Sequence, residues 1–74
     1  MILYPRIREL REDKDLTQRE MAEILHMQLT QYHRYETGER EIPTNIMIMI
    51  ADFFKVSLDY LTGRIDTITI FKRF

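Results

Sequence analysis

Between positions 28 and 37 the chain runs Gln28-Leu29-Thr30-Gln31-Tyr32-His33-Arg34-Tyr35-Glu36-Thr37. At helical spacing, if Tyr32 and Tyr35 point inward, then Thr30, His33, Arg34 and Thr37 point away, with Gln28 and Leu29 at the leading tip. These residue types can meet the edges of bases. An arginine can grip guanine, a glutamine can grip adenine, and a leucine can lie against a thymine methyl. The same side chains also make an ordinary solvated polar face, and spacing alone leaves both readings open. Other chemistries are poorly provided for. There is no cysteine, hence no disulfide and no thiolate metal site. His26 and His33 stand seven positions apart with nothing beside them that suggests a metal site. No Ser-His-Asp set or carboxylate pair can be argued, and so short a chain offers little room for a substrate cleft. The expectation is a chain that is not an enzyme and takes no metal or cofactor.

A polar reading face needs elements to hold it. Pro5 suits the first turn of a helix, where its missing N–H costs nothing. Ile7 and Leu10 among charged neighbours then predict a short amphipathic helix ending near Asp13–Asp15, with Asp15 at a left-handed closing position. Thr17 followed by Glu20 reads as a capping box that opens a second helix, with Met21, Ala22 and Leu25 on one face. After a break at His26-Met27 a third helix is expected from about Gln28 to Glu36, stopped by Gly38. Pro43-Thr44 opens a fourth helix through about Lys55. Ser57 caps a short fifth one, in which Leu58 and Leu61 are expected to face inward before Gly63 closes it.

The stretch from Arg64 to Phe74 reads differently. Thr67, Thr69 and Phe71 alternate with Ile68, Ile70 and Lys72, the period of a strand. A lone strand cannot satisfy its own backbone, so this segment needs a partner or remains a tail. The division expected is a helical domain over 1–63 and a strand or tail over 64–74. The fold class is all-α, five helices with that short C-terminal strand as an option.

Seventy-four residues make one domain. Such a chain buries only about 60% of the surface its unfolded form exposes, so its stability is marginal unless it pairs with something. Its 45% hydrophobic and 31% charged residues belong to an ordered globule rather than a disordered tail. No apolar run approaches the roughly 20 residues of a membrane helix, and the first residues lack the features of a secretory signal. A soluble cytoplasmic protein is expected, with no membrane partner. The formal charge of −1 is unusual for a chain that meets phosphates, and residues 16–43 hold three arginines against five glutamates. Any such affinity should therefore be modest and strongly salt-sensitive.

Four blocks together carry a resemblance. They are Leu16-Thr17-Gln18-Arg19-Glu20-Met21-Ala22-Glu23-Ile24-Leu25, Tyr35-Glu36-Thr37-Gly38, Ile42-Pro43, and Ile50-Ala51-Asp52 with Val56-Ser57-Leu58-Asp59-Tyr60-Leu61. At this spacing the chain resembles the Cro/repressor (XRE-type) helix-turn-helix family over residues 5–63. The resemblance implies a phage-repressor-like domain that binds double-stranded DNA and regulates transcription, as a repressor on a palindromic operator. It further implies that Gln18 holds a phosphate and braces the reading helix, and that Gln28, Leu29, Thr30 and Arg34 face bases or the adjacent phosphates. His33 joins them on the outer face. Arg40 and the N–H groups around Thr44 and Asn45 would meet the backbone again, and helix N-termini favour anions in any case. Arg11 matches the basic position of the first helix that pairs with Glu36. Ala22 and Tyr35 would be structural.

The chain also departs from the family pattern. His26 stands where glycine is usual, Gln28 where a Ser or Thr N-cap is usual, and Tyr32 where a smaller aliphatic residue is usual. Glu39 and Glu41 place negative charge in a loop expected to approach phosphates. Two other roles stay open: the antitoxin of a toxin–antitoxin pair, and a protein-interaction module that has lost DNA binding.

Helix four, Ile46-Met47-Ile48-Met49-Ile50-Ala51, is apolar nearly all round. Met47, Ile50, Ala51 and Phe54 fit one core-facing stripe, which leaves Ile48 and Met49 over as a partner surface or a face shielded by the C-terminal segment. A homodimer is expected. Its candidate seams are the surplus face, Ile48, Met49 and Leu58, and a strand pairing that brings together Ile68 and Ile70.

Overall fold

The structure, a computed structural model, describes residues 4–64. The strand-or-tail segment, with Ile68 and Ile70, lies outside the described residues. Five helices follow one another: α1 (Pro5–Asp13), α2 (Gln18–Ile24), α3 (Leu29–Thr37), α4 (Thr44–Phe54) and α5 (Leu58–Leu61). Among the described residues none is long and apolar enough to cross a membrane.

Local chemistry sets where these helices begin. Pro5 occupies the first turn of α1. The Thr17 hydroxyl accepts the Glu20 N–H at 3.0 Å while Glu20 Oε1 accepts the Thr17 N–H at 2.8 Å, the reciprocal bonds of a capping box. Ser57 Oγ accepts the Tyr60 N–H at 3.0 Å and starts α5. Helix α3 begins one residue later than the sequence suggests. Gln28 is its extended N-cap, and its side chain makes no capping bond.

Four of the five helix ends share one device. Past α1, Asp15 is left-handed (φ 57°), and the Leu16 N–H reaches back to the Arg11 carbonyl at 3.1 Å. Past α2, His26 is left-handed (φ 56°), and the Met27 N–H reaches the Ala22 carbonyl at 2.9 Å. Each is a Schellman closure, which satisfies carbonyls the helix would otherwise leave open. Lys55 (φ 57°) and Gly63 (φ 87°) repeat it after α4 and α5, with Val56 bonding Ala51 and Arg64 bonding Asp59. The tight reversal at His26 confines the link between α2 and α3 to four residues, Leu25 to Gln28.

The core gathers one face from each helix: Ile7 from α1, Met21 and Ala22 from α2, Tyr32 and Tyr35 from α3, Met47, Ile50, Ala51 and Phe54 from α4, and Leu61 from α5. Each fully buried aliphatic side chain stabilises the fold by about 1.5–3 kcal/mol. Arg6 adds a clamp between the first and last helices, donating from Nη1 to the Tyr60 carbonyl at 2.9 Å with its guanidinium 4.3 Å above the Tyr60 ring. Leu58 departs from the inward position expected of it and is 39% exposed, while Leu61 is buried. A helix of four residues buries a single edge, and Leu61 occupies it.

Candidate nucleic-acid interface

Helix α3 is anchored along one edge by Tyr32, Tyr35 and Glu36, all buried. By the 100° step of a helix the opposite edge carries Thr30, His33, Arg34 and Thr37, and all four are exposed. Gln28 is exposed at the leading tip and Leu29 beside it is half-buried. Gln28, Thr30 and Arg34 line one shallow recess together with Arg40, Gln31 and Tyr35. Gln31, which the pattern alone did not single out, belongs to this surface and donates from Nε2 to the Tyr35 hydroxyl at 3.0 Å. Its three-residue step from Arg34 is the signal that places it there.

Behind this face lies a hub of bonds on Glu36. Its Oε2 accepts from Arg11 Nε at 2.7 Å and from the Tyr32 hydroxyl at 2.6 Å. Its Oε1 accepts from Arg11 Nη2 at 3.2 Å and from Gln18 Nε2 at 3.0 Å. Arg11 also donates from Nη1 to the Leu16 carbonyl at 2.6 Å, so α1, α2 and α3 meet on one buried charge pair. Burial alone would push the Glu36 carboxyl up, but the bonds from Arg11, Tyr32 and Gln18 outweigh it and hold the group below its ordinary range. The bond to Glu36 raises the Arg11 guanidinium, and burial followed by the same carboxylate raises the Tyr32 phenol. Sequence reasoning missed Tyr32 in this hub. The signal was a tyrosine in place of an aliphatic residue, four positions before a glutamate, because a buried phenol needs an acceptor.

Two short helices joined by a tight turn, the second locked to the first by a charge hub and presenting polar side chains outward, have a counterpart among known proteins. The profile of the helix-turn-helix family matches residues 7–61. The chain belongs to this helix-turn-helix family, in its Cro/repressor branch. The phage CTXphi transcriptional repressor RstR of Vibrio cholerae is 34% identical over 64 residues, covering 86% of this chain and 57% of that protein. The transcriptional regulator ImmR of Bacillus subtilis is 33% identical over 64 residues, 86% of this chain and 50% of its own length. A further regulator of Bacillus subtilis, YqaE, is 40% identical over 55 residues, 74% of this chain and 47% of its own. The chain thus spans about half the length of the curated relatives it matches. No solved structure matches it.

Around this helix-turn-helix unit the remaining candidate residues fall into separate places. Gln18 and His33 line a second recess with Arg8, Glu12 and Glu36, and His33 Nδ1 lies 3.0 Å from Gln18 Oε1. Arg34 Nε is 3.1 Å from Glu39 Oε2, so the acidic loop folds back onto the outer arginine. Thr44 and Asn45 are exposed in the first turn of α4, where Pro43 provides no side-chain cap. The first N–H groups of a helix have no carbonyl within it to bond, so this end of α4 keeps donors for an anion. Thr44 lines a third recess, with Glu41, Met47 and Leu58, apart from the one that holds Arg34 and Arg40.

Proposed function

We propose that this chain is the DNA-reading unit of a transcriptional regulator, acting as a repressor in the cytoplasm, with a binding role rather than a catalytic one. The observation that supports this best is the combination in α3 of a buried edge tied to α1 and α2 and an exposed edge of Thr30, His33, Arg34 and Thr37. A helix so braced fits a major groove about 12 Å wide. In this reading Gln28, Leu29, Thr30, His33 and Arg34 meet base edges. Gln18, Arg40 and the first turn of α4 at Thr44 and Asn45 meet phosphates on either side. The names of the relatives RstR and ImmR, a transcriptional repressor and a transcriptional regulator, agree with it.

One unit reaches one half-site, so we further propose a homodimer on a palindromic operator with half-sites about 34 Å apart. Selection of bound duplexes from a random pool at low salt tests both parts. Enrichment of an inverted repeat is the expected result, with affinity falling steeply as salt rises. A single half-site would remove the dimer. No enrichment and no salt-dependent retention would overturn DNA binding and favour a protein-interaction module.

A further inference from the structure

The bonds that lead outward from Glu36 end on an imidazole. Glu36 Oε1 accepts from Gln18 Nε2 at 3.0 Å, so the other end of that amide turns away from the carboxylate. Gln18 Oε1 then lies 3.0 Å from His33 Nδ1. Reversing the amide would set its oxygen against a carboxylate oxygen, and an ionised carboxylate can only accept, so one orientation alone is satisfied. Although burial pushes the Glu36 carboxyl up, its bonds from Arg11, Tyr32 and Gln18 outweigh that and hold it below its ordinary value, so it is ionised at neutral pH. An amide oxygen has no proton to give. The Nδ1 that faces it must therefore carry one, and in a neutral imidazole the second nitrogen is then bare. His33 stands on the exposed edge of α3.

We infer that Glu36, acting through Gln18, fixes His33 as a hydrogen-bond acceptor on the reading face, and that His33 is a specificity-determining residue for an amino-bearing base. The inference rests on the DNA-reading role proposed above. In the major groove, cytosine N4 and adenine N6 offer donors, whereas guanine shows N7 and O6 and thymine shows O4, all acceptors. A bare Nε2 bonds the first two and is repelled by the others. On the strand that His33 meets, the chain accepts adenine or cytosine and refuses guanine or thymine. Gln18 and Glu36 are positioning residues for this contact.

Two measurements test it. Long-range proton–nitrogen correlation spectra of the full chain at mildly alkaline pH should show His33 protonated at Nδ1 and bare at Nε2. Gln18→Ala should return the ring to a mixture of tautomers. A wild-type ring protonated at Nε2 overturns the proposal without reference to DNA. The second is selection from a random duplex pool by the wild type and by His33→Lys, whose ammonium only donates. One position in the selected site should change from adenine or cytosine to guanine or thymine, with a preference of roughly tenfold. A motif common to both proteins overturns the role of His33 and leaves DNA reading intact. A wild type that enriches nothing overturns the DNA-reading role and this assignment with it.

Discussion

The Arg11 guanidinium meets the Glu36 carboxylate side-on, Nε 2.7 Å from Oε2 and Nη2 3.2 Å from Oε1, and so fastens α1 to α3. Both side chains are nearly removed from water. Removing either partner strands a buried charge, which costs about 3–5 kcal/mol, whereas removing both avoids that penalty. A double-mutant cycle of Arg11→Ala and Glu36→Ala, read by denaturant melting, should therefore show coupling of about 1 kcal/mol or more. Strict additivity would mean the two side chains do not meet in solution.

The same hub sets a pH window. The Glu36 carboxyl is depressed in the folded chain, so its contribution is complete above its ordinary value of 4.5 and is lost as pH falls through the lower folded value. The Tyr32 phenol is raised, so its contribution is complete below its ordinary value of 10.0 and is lost as pH rises through the higher folded value. The stability difference between wild type and Glu36→Gln should hold steady from pH 6 to 9 and shrink below about 4.5. The difference between wild type and Tyr32→Phe should shrink above about 10. A gap that stays constant in acid would remove Glu36 as the titrating group.

Much of the fold was legible because it depends on one-dimensional spacing. The Tyr32 and Tyr35 stripe, the Met47, Ile50, Ala51 and Phe54 stripe, and the Thr17–Glu20 capping box follow from steps of three and four along a helix. The left-handed closures at Asp15 and Gly63 follow from where the apolar pattern stops, and the one at His26 from the family resemblance, which puts glycine at that turn. What was not legible joins helices to one another. The Tyr32 hydroxyl on Glu36, the Gln18 amide between Glu36 and His33, and the Arg34–Glu39 pair depend on how α1, α2 and α3 dock, which no single-helix period encodes. Leu58 misled for a related reason, since four residues are too few to define a face by repetition.

Among the described residues three besides glycine hold left-handed backbone, Asp15, His26 and Lys55, and Lys55 closes α4, away from the Glu36 hub and the exposed edge of α3. A left-handed conformation costs a residue with a Cβ roughly 1–2 kcal/mol, part of which glycine returns through the freer unfolded chain. Lys55→Gly should accordingly raise stability by about 0.5–1 kcal/mol without changing DNA affinity. His26→Gly should do the same for the turn between α2 and α3. A loss of stability at both positions would mean that the left-handed closures carry no strain.

On the proposed interface Arg34 would have to leave Glu39 to meet a base. Both partners of that pair are about half exposed, at 45% and 59%, so the pair itself holds little, about 0–1 kcal/mol. In the proposed complex its cost to binding would be larger, because the carboxylate occupies the guanidinium and would add negative charge where phosphates are expected. Glu39→Gln should strengthen operator binding by roughly threefold to tenfold at low salt, with the gain fading as salt rises. Arg34→Ala should lose about 1–3 kcal/mol and relax preference at one base pair. If Arg34→Ala leaves the selected motif unchanged, the guanidinium reads no base, and Glu39 restrains nothing.

The proposed dimer would draw on apolar surface that the single chain leaves in water. Ile48 is 41% exposed, Met49 37%, Phe53 38% and Leu58 39%. They form two strips rather than one face. Ile48 and Leu58 share a recess between α4 and α5 with Ala51 and Val56, while Met49 and Phe53 lie one helical turn apart, the Phe53 ring edge-on to Phe54 at 5.0 Å. A two-fold axis through either strip would cover large side chains from both copies and add core to a chain short of it. In sedimentation the full chain should run as a dimer at micromolar concentration. Ile48→Lys or Met49→Lys should shift it toward monomer with helix content unchanged, since both positions are already in water. A chain ending at Gly63 decides the seam. If it remains a dimer, the helical strips hold the pair together. If it turns to monomer, the last eleven residues do, Ile68 and Ile70 among them. If both forms run as monomers at high micromolar concentration, each half-site is bound by one unit, and the operator need not be symmetric.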